Sequence, residues 1–210
     1  MKMKKSTYGL GFLGLVLASC GGGQSEITTA KDTAAACTYS YDSASTQLTW
    51  TAFKLTDKIG VNGTFDQIHV TAKGSSADMF AVLTGAAFDI PVVTLNSQDP
   101  VRDGKVKNSF FGNMIETASI TGTVNSISET GANITVTMNG VSKDYQGVVS
   151  INEETITVTT TVDIVDFNAQ PSLDSLSVVC AEKHTGPDGV NKFWSTVDIA
   201  VKTTLIKTCN

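Results

Sequence analysis

The chain has 210 residues, 41% of them hydrophobic, which is enough for one domain with a sizeable core. Its 20 acidic residues outnumber its 15 basic residues, and no cluster of Lys or Arg follows residues 1–5. This acidic balance gives little electrostatic basis for binding nucleic acid or for broad adhesion to anionic lipid surfaces.

The chain begins with the features of a secretory signal. A lysine-rich start, 1–5, precedes a short apolar run, 8–18, which leads into the lipobox Leu17-Ala18-Ser19-Cys20. About ten apolar residues are too few for a helix that crosses a bilayer, which needs roughly 20. Residues 1–19 are therefore predicted to be a cleaved signal peptide. An ordinary signal peptide with a cysteine beside its cleavage site is the alternative.

Cleavage would make Cys20 the first residue, and its thiol would then accept a diacylglyceryl group. Two or more acyl chains anchor a protein stably, so the sequence predicts a lipoprotein of the bacterial cell envelope that faces the periplasm or the outside. Gly21, in place of Asp, favours the outer membrane by resemblance to bacterial lipoproteins. Residues 20–37 lack apolar periodicity and are interpreted as a flexible tether, which leaves 38–210 as the folded domain.

From residue 38 onward, short runs of alternating apolar and polar residues are separated by Gly and Asn, as in antiparallel β-strands. Asn139-Gly140 favours a tight hairpin, because both residues tolerate positive φ. The runs predict a β-barrel or a sandwich. The predicted strands are 38–43, 47–56, 59–72, 85–95, 115–127, 132–138, 144–151, 154–167 and 194–206.

Two stretches have helical periodicity instead. Residues 76–83 and 171–183 place apolar side chains on one side of a helix, and Pro171 suits a first helical turn. Residues 96–111 show neither pattern and are predicted to be a long connection over one mouth of the barrel, with room for a short helix.

Three cysteines lie in or next to the predicted domain, where an exported, oxidising setting favours one disulfide among three possible pairings. Cys37 precedes the first strand and Cys209 follows the last, and the two would be neighbours if the terminal strands of a closed barrel are antiparallel. The sequence therefore favours this pair. Three free thiols, with Cys180 buried on a helix, are the alternative.

Few side chains are candidates for catalysis, and no enzyme activity, metal or cofactor is predicted. Cys180 and His184 are four residues apart on one helix face, which leaves open a metal site or a nucleophile and base, although a helix-terminal His more often contacts carbonyls. His69 is expected to face solvent. Five aspartates are interpreted as solvated strand faces and loop caps, not as paired catalytic carboxylates. They are Asp89, Asp103, Asp163, Asp166 and Asp198.

Aromatic residues are the more informative candidates. Trp50 alternates with Leu48 and Ala52, and Phe65 and Phe88 belong to similar series, so every second side chain points to one face. Those faces should look into the barrel. A closed sheet of about eight strands either fills its interior with side chains or encloses one elongated ligand, and the alternation alone leaves both open.

Four segments occur in an order that resembles the YceI-like family of lipid-binding proteins. They are Leu48–Lys54 with Val61–Phe65, Thr94–Phe111, Gly140–Lys143 and Gly189–Val201. In the second, Arg102-Asp103 and Phe110-Phe111 follow a turn that contains Ser and Thr, with one residue fewer between the two pairs than the family pattern has. The resemblance spans roughly 38–206.

The resemblance implies an all-β fold: an extended, lipocalin-like antiparallel β-barrel of about eight strands with one or two short helices. Arg102 and Asp103 are expected to pair with each other and fix the loop at the mouth. Phe111 should point away from Phe110 if that segment is extended. The residues expected to line the tunnel, by face and by resemblance, are Trp50, Phe65, Phe88, Ile90 and Phe110.

The implied function is that of a membrane-anchored carrier or store, which binds a polyisoprenoid or a similar amphiphile in the tunnel. The expected partners are this lipid and the membrane that holds the acylated Cys20, and the oligomeric state, a dimer included, is left open. The alternative is a packed barrel whose outer surface binds proteins in envelope maintenance or stress response.

Overall fold

The computed structural model describes residues 36–210. The signal peptide predicted over 1–19, the lipidated Cys20 and nearly all of the tether predicted over 20–37 lie outside the described residues. Within residues 36–210, no helix combines the length and the apolar character that a membrane span requires.

Strands dominate the described part of the chain. They are β1 (Cys37–Ser40), β2 (Gln47–Lys54), β3 (Ile59–Phe65), β4 (His69–Thr71), β5 (Ala87–Pro91), β6 (Leu95–Asn96), β7 (Ser119–Ser128), β8 (Gly131–Met138), β9 (Val141–Asn152), β10 (Thr155–Asp163), β11 (Phe193–Thr204) and β12 (Ile206–Cys209). The α-helices are α1 (Met79–Leu83), α2 (Pro100–Lys105) and α3 (Gln170–His184). A π-helical turn, Val106–Phe110, continues α2, and single 3₁₀ turns cover Val92–Thr94, Phe111–Asn113 and Ile164–Phe167.

Ten strands form one antiparallel sheet in the order β4-β5-β7-β8-β9-β10-β11-β2-β3-β6. The sheet curls into a half-barrel, which confirms the all-β antiparallel architecture predicted from the sequence. Strands β7 to β10 are neighbours in sequence order, as short hairpins require. The turn between β8 and β9 has φ of 53° at Asn139 and 69° at Gly140, the left-handed geometry for which this dipeptide is suited.

Two runs that were predicted as single strands are each divided by a bend. Residues 59–72 form β3 and β4, and residues 85–95 form β5 and the start of β6. At the bends, the backbone N–H of Asp66 donates to the carbonyl of Thr94 at 2.9 Å. Strand β3 pairs with β6 on one side of this contact and β4 pairs with β5 on the other, so the two edges of the sheet are held together.

Strand alternation directs every second side chain into the curl. Along β10, Ile156, Val158 and Val162 line the interior, whereas Thr159 and Thr161 are exposed. At about 3.3 Å per residue, the wall between Ile156 and Val162 is about 20 Å long. Thr side chains outside and aliphatic side chains inside explain why this strand is rich in both.

Two buried apolar clusters lie toward the two ends of β10. One contains Ile156 together with Val82 and Leu83 of α1. The other contains Val162 and Phe167, against which the apolar side of α3 packs. The short helix α1 and the long helix α3 therefore close opposite ends of the curled sheet.

Strands β1 and β12 form a separate two-stranded ribbon, in which Cys37 lies opposite Cys209. The two cysteines are joined by a disulfide, the pair that the sequence favours, and Cys180 is a buried free thiol among residues 36–210. Tyr39 of β1 exchanges two backbone hydrogen bonds with Ser76, at 2.7 and 3.0 Å. The ribbon is thereby attached to the segment that precedes α1.

Two inward aromatic rings lie flat against the sheet because glycines are directly opposite them. Trp50 is paired across the strands with Gly63, and Phe88 with Gly122. A Cβ atom at either glycine would overlap the facing ring. The missing side chains thus let two large rings cover the wall without projecting into the interior.

We expect Gly63→Ala to lower the free energy of unfolding by about 1–3 kcal/mol, as overpacking typically does. The added methyl group would force the Trp50 ring off the wall and into the interior. Chemical denaturation and Trp fluorescence measure the two effects. In the control variant Gly104→Ala, the new methyl group meets no atom within 4 Å and alanine favours the helix, so stability should be unchanged or slightly higher. Equal stability of the two variants would contradict the proposed packing.

Candidate functional site

The half-barrel encloses an apolar cavity of about 570 Å³, within the range of roughly 300–1,000 Å³ that is usual for small-molecule sites. Ile156 and Leu83 line it near α1, and Phe110 and Leu176 line it near α3. The cavity is therefore elongated along the strands and joins both apolar clusters. Strand alternation was compatible with either a filled interior or one that encloses a ligand. The interior is the second kind, because a cavity and not packed side chains occupies it.

All of the residues predicted to line the tunnel are in the cavity wall; they are Trp50, Phe65, Phe88, Ile90 and Phe110. Trp50 and Ile90 are buried, on β2 and β5. The indole N–H of Trp50 donates to the carbonyl of Thr64 at 3.2 Å, so its polar atom is satisfied by the backbone. The ring therefore presents only apolar surface to the cavity.

The segment around Phe110 is helical, so the condition under which Phe111 would point away is not met. Phe110 ends the π-helical turn and Phe111 begins a 3₁₀ turn. Both side chains are buried and line the cavity, with their rings edge to face at 5.0 Å. Alternation applies to strands, whereas consecutive helical residues diverge by only about a quarter of a turn.

The expected pairing of Arg102 with Asp103 is wrong. Both residues contact Ser97: the Nε and Nη2 atoms of Arg102 donate to the Ser97 Oγ and carbonyl at 2.8 and 2.9 Å, and Asp103 accepts from the Ser97 backbone N–H and hydroxyl. Neighbouring residues of a helix do not face each other, so α2 cannot pair them directly. The nearest acidic partner of Arg102 is Asp99, at 4.0 Å, which also caps the start of α2.

Three lysines in the cavity wall were not predicted as site residues: Lys54, Lys105 and Lys183. Lys54 continues the inward series of Leu48, Trp50 and Ala52 at the end of β2, so the period of two did contain a signal for it. Its ammonium group donates to the carbonyl of Lys183 at 3.2 Å, and that of Lys105 donates to the carbonyl of Val179 at 2.7 Å. Lys54 and Lys105, and not His184, donate to carbonyls in the last turns of α3.

Cys180 and His184 lie beside these lysines and also line the cavity. The His184 ring stacks on Phe193 at 3.9 Å, and its buried Nδ1 atom has no hydrogen-bond partner among residues 36–210. Burial, with Lys54 and Lys105 nearby, lowers the pKa of His184 to about 4. Burial also raises the pKa of the Cys180 thiol, so both groups are neutral at pH 7. Within residues 36–210, no three side chains are grouped as metal ligands.

The remaining candidates lie outside the cavity wall. His69 is exposed, as predicted. Asp163 accepts from the backbone N–H of Val165, and Asp198 accepts from the Thr161 hydroxyl at 2.7 Å. None of the five aspartates considered from the sequence lines the cavity. Their positions fit the interpretation as caps and strand faces.

A curled antiparallel sheet around an elongated apolar cavity defines the lipocalin-like class of folds. Within that class, the model of the YceI-like domain matches residues 39–205, and the chain belongs to this family. The match covers almost the same residues as the resemblance found in the sequence. No curated protein matches the chain.

Two solved structures share the fold at low sequence identity. A polyisoprenoid binding domain from Saccharophagus degradans, implicated in plant cell wall breakdown, is 15% identical, with a TM-score of 0.54 over 84% of this chain and 100% of that domain. BcnA of Burkholderia cenocepacia is 13% identical, with a TM-score of 0.54 over 80% of this chain and 99% of that protein. Both similarities show the architecture of the domain.

The lowered pKa of His184 predicts a loss of stability in acid. The unfolded residue takes up a proton near pH 6.5 and the folded residue only near pH 4, so its contribution is present above pH 6.5 and is lost as the pH falls to 4. His184→Phe keeps a ring against Phe193 without this titration. Between pH 7 and pH 4, we expect the native chain to lose about 1–3 kcal/mol more of its free energy of unfolding than the variant does. Identical pH profiles in denaturation experiments would contradict this.

Proposed function

We propose that the domain binds an elongated apolar lipid, a polyisoprenoid or a similar amphiphile, and acts as its carrier or store. The observation that carries this proposal is the continuous apolar cavity that extends from α1 to α3. Apolar pockets of this size with a few polar groups at one end are typical of ligand sites. The fold shared with a domain described as polyisoprenoid binding supports the choice of ligand class.

Apolar contact is sufficient for useful affinity. At about 0.3 kcal/mol per non-hydrogen atom, a chain of about 20 carbons gains roughly 6 kcal/mol, which corresponds to a Kd of tens of micromolar. Each further isoprene unit of five carbons would add about 1.5 kcal/mol and tighten binding about tenfold. Affinity should therefore rise with chain length until the cavity is full.

A bilayer solvates the same lipid tail almost as well as the cavity does, so transfer from membrane to protein is nearly neutral. The protein gains nothing by removing lipid from a membrane permanently. The useful result is passage of the tail through water between two membranes or binding sites. A carrier fits this balance, and a membrane-anchored protein in the envelope would be suitably located for it.

The neutral Cys180 and His184 favour binding over reaction. A protonated thiol is a weak nucleophile, and a base with a pKa near 4 takes up protons poorly at neutral pH. Neither side chain is activated by its surroundings. We therefore propose that the lipid is held and released unchanged.

Phe88→Asp is expected to reduce the lipid that copurifies with the protein by at least about tenfold, because an ionised carboxylate in an apolar wall costs several kcal/mol. Organic extraction followed by mass spectrometry measures the lipid per chain. Ala87→Asp is the matched control, since Ala87 is the preceding residue of the same strand and is exposed. Unchanged lipid in a folded Phe88→Asp variant, judged by far-UV circular dichroism, would count against the proposal.

Anchoring through Cys20 is a further part of the proposal, and it rests on the basic start, the apolar run and the lipobox of the sequence. We expect Cys20→Ser to abolish labelling by a palmitate analogue and to shift the protein from the membrane fraction to the soluble fraction. Cys180→Ser, a control that removes a different thiol, should retain both label and location. Membrane association of Cys20→Ser equal to that of the native chain would contradict lipid anchoring.

A further inference from the structure

The cavity opens to solvent at one place. Among its lining residues within 36–210, only Asp99, Val101 and Lys183 are exposed, and the others are buried or half-buried. Asp99 caps the start of α2 and Val101 lies in its first turn, whereas Lys183 lies in the last turn of α3. Lys183 acts electrostatically on Asp99, so these two helix ends are neighbours. The opening therefore lies between the start of α2 and the end of α3.

Exposed valines flank this opening on both helices. Val101 of α2 is 71% exposed, and Val178 and Val179 of α3 are 76% and 42% exposed. The ammonium group of Lys105, one turn after Val101, donates to the carbonyl of Val179 at 2.7 Å, so the two helices meet beside these side chains. Valine is usually buried, and exposed apolar side chains that gather at one place mark a contact surface.

Two further exposed apolar residues, Ile59 and Val190, lie near the end of α3. Ile59 pairs across the strands with Lys54, whose ammonium group donates to a carbonyl in the last turn of α3 at 3.2 Å. Val190 precedes Asn191, whose side-chain amide donates to the carbonyl and the hydroxyl of Ser177 at 3.3 and 3.0 Å. The exposed apolar side chains at this end thus come from four segments: α2, α3, the start of β3 and the loop before β11.

A tryptophan with two lysines lies at the same end of the domain. Trp194 lines the cavity, and its indole N–H donates to the carbonyl of Leu55 at 2.9 Å. The ammonium groups of Lys58 and Lys192 lie 5.2 and 5.0 Å from the centre of its ring. Amphipathic rings, and lysines whose apolar stems lie along apolar surface while their ammonium groups reach water, are typical of a membrane–water boundary.

A bilayer accounts for this surface better than a protein partner does. Charged side chains interrupt the exposed valines, among them Asp99, Lys183 and Glu182. A protein interface would have to pair these charges or bury them without partners. A fluid bilayer takes up isolated apolar side chains while the charges stay among head groups and water. Because acids and bases are mixed here, docking depends on apolar contact and not on net charge.

The location of this surface at the opening has a physical reason. When a lipid tail leaves a bilayer through water, each CH₂ group that becomes exposed makes the transfer about fourfold less favourable. For a tail of about 20 carbons, passage through water is therefore negligible. An opening that touches the bilayer removes this barrier, because the tail moves from one apolar environment directly into another.

The chain that precedes the domain is long enough for this contact. About 17 residues separate Cys20, the predicted site of acylation, from Cys37 in the ribbon attached near α1. Fully extended, they would span at most about 60 Å, whereas the cavity wall along β10 is about 20 Å long. Tethering gives the domain a millimolar effective concentration at the membrane, so weak apolar contact is sufficient for docking.

We propose that the opening of the cavity docks on a lipid bilayer through Val101, Val178 and Val179. This inference rests on the proposed lipid binding and adds the step by which the lipid enters and leaves. In the docked state, the tail passes between the membrane and the cavity without contact with water. The valines enter the outer part of the acyl chains, and the charged side chains around them remain among the head groups.

Quenching by membrane lipids tests this contact. The variants Val178→Cys and Val148→Cys are each labelled with the fluorophore nitrobenzoxadiazole, and the acylated full-length chain is reconstituted in phosphatidylcholine vesicles with nitroxide groups on their acyl chains. The two valines are matched, since they are 76% and 71% exposed and neither lines the cavity, but Val148 lies on β9. We expect the probe on Val178→Cys to be quenched at least about threefold more than the probe on Val148→Cys.

Two further measurements control this comparison. The native chain, treated with the same label, gives the background from Cys180, which is a buried thiol. In the labelled Val178→Cys chain, the additional changes Val101→Asp and Val179→Asp should lower the quenching to the level of Val148→Cys, because ionised carboxylates do not enter the acyl region.

Each outcome decides between docking and its absence. Equal quenching of the Val178→Cys and Val148→Cys probes would overturn docking at the opening, and quenching that persists in the chain with both Asp changes would overturn the role of the valines. Ile59→Cys, labelled in the same way, replaces Val178→Cys if that variant fails to fold, and it should also exceed the control. A chain that stays outside the vesicles would overturn both anchoring and docking. Lipid binding is measured separately as copurified lipid, so its failure is distinguishable from a failure to dock.

Discussion

An apolar wall that faces a cavity instead of closely packed side chains is the constraint on which the rest of the structure depends. Side chains that face an empty space give up the dispersion contacts that a filled core would supply. The fold must therefore be held by its sheet, by the clusters near α1 and α3, and by the ribbon that the Cys37–Cys209 disulfide joins. An apolar chain that enters the cavity would restore the missing contacts and stabilise the folded state by binding to it.

The same constraint explains where large and polar side chains are placed. Trp50 and Phe88 cover the wall without filling the interior only because Gly63 and Gly122 lie opposite them. Polar groups are confined to the ends of the cavity, where α3 supplies carbonyls for Lys54 and Lys105. The resulting interior is apolar along the strands and cationic at one end, an arrangement that matches an amphiphile better than a small polar substrate.

The sequence predicted what strand geometry determines locally. Within each strand, a period of two places Trp50, Phe65 or Phe88 on the same face as its alternating apolar neighbours. This depends only on the local strand, and all three residues line the cavity. It did not predict contacts between elements that are distant in sequence, such as the ammonium of Lys105 on a carbonyl of α3. The Arg102-Asp103 pairing failed because the local helix was unknown, and the choice between a filled and an empty interior depends on how all strands fit together.

Native mass spectrometry of the purified full-length chain tests the central claim most directly. If the cavity holds a lipid, the folded chain will carry one bound molecule per protein, lose it on organic extraction and regain one after incubation with a 20-carbon isoprenoid. A chain that is free of ligand as purified, and that takes up none after incubation, would contradict the claim that this cavity is a lipid site.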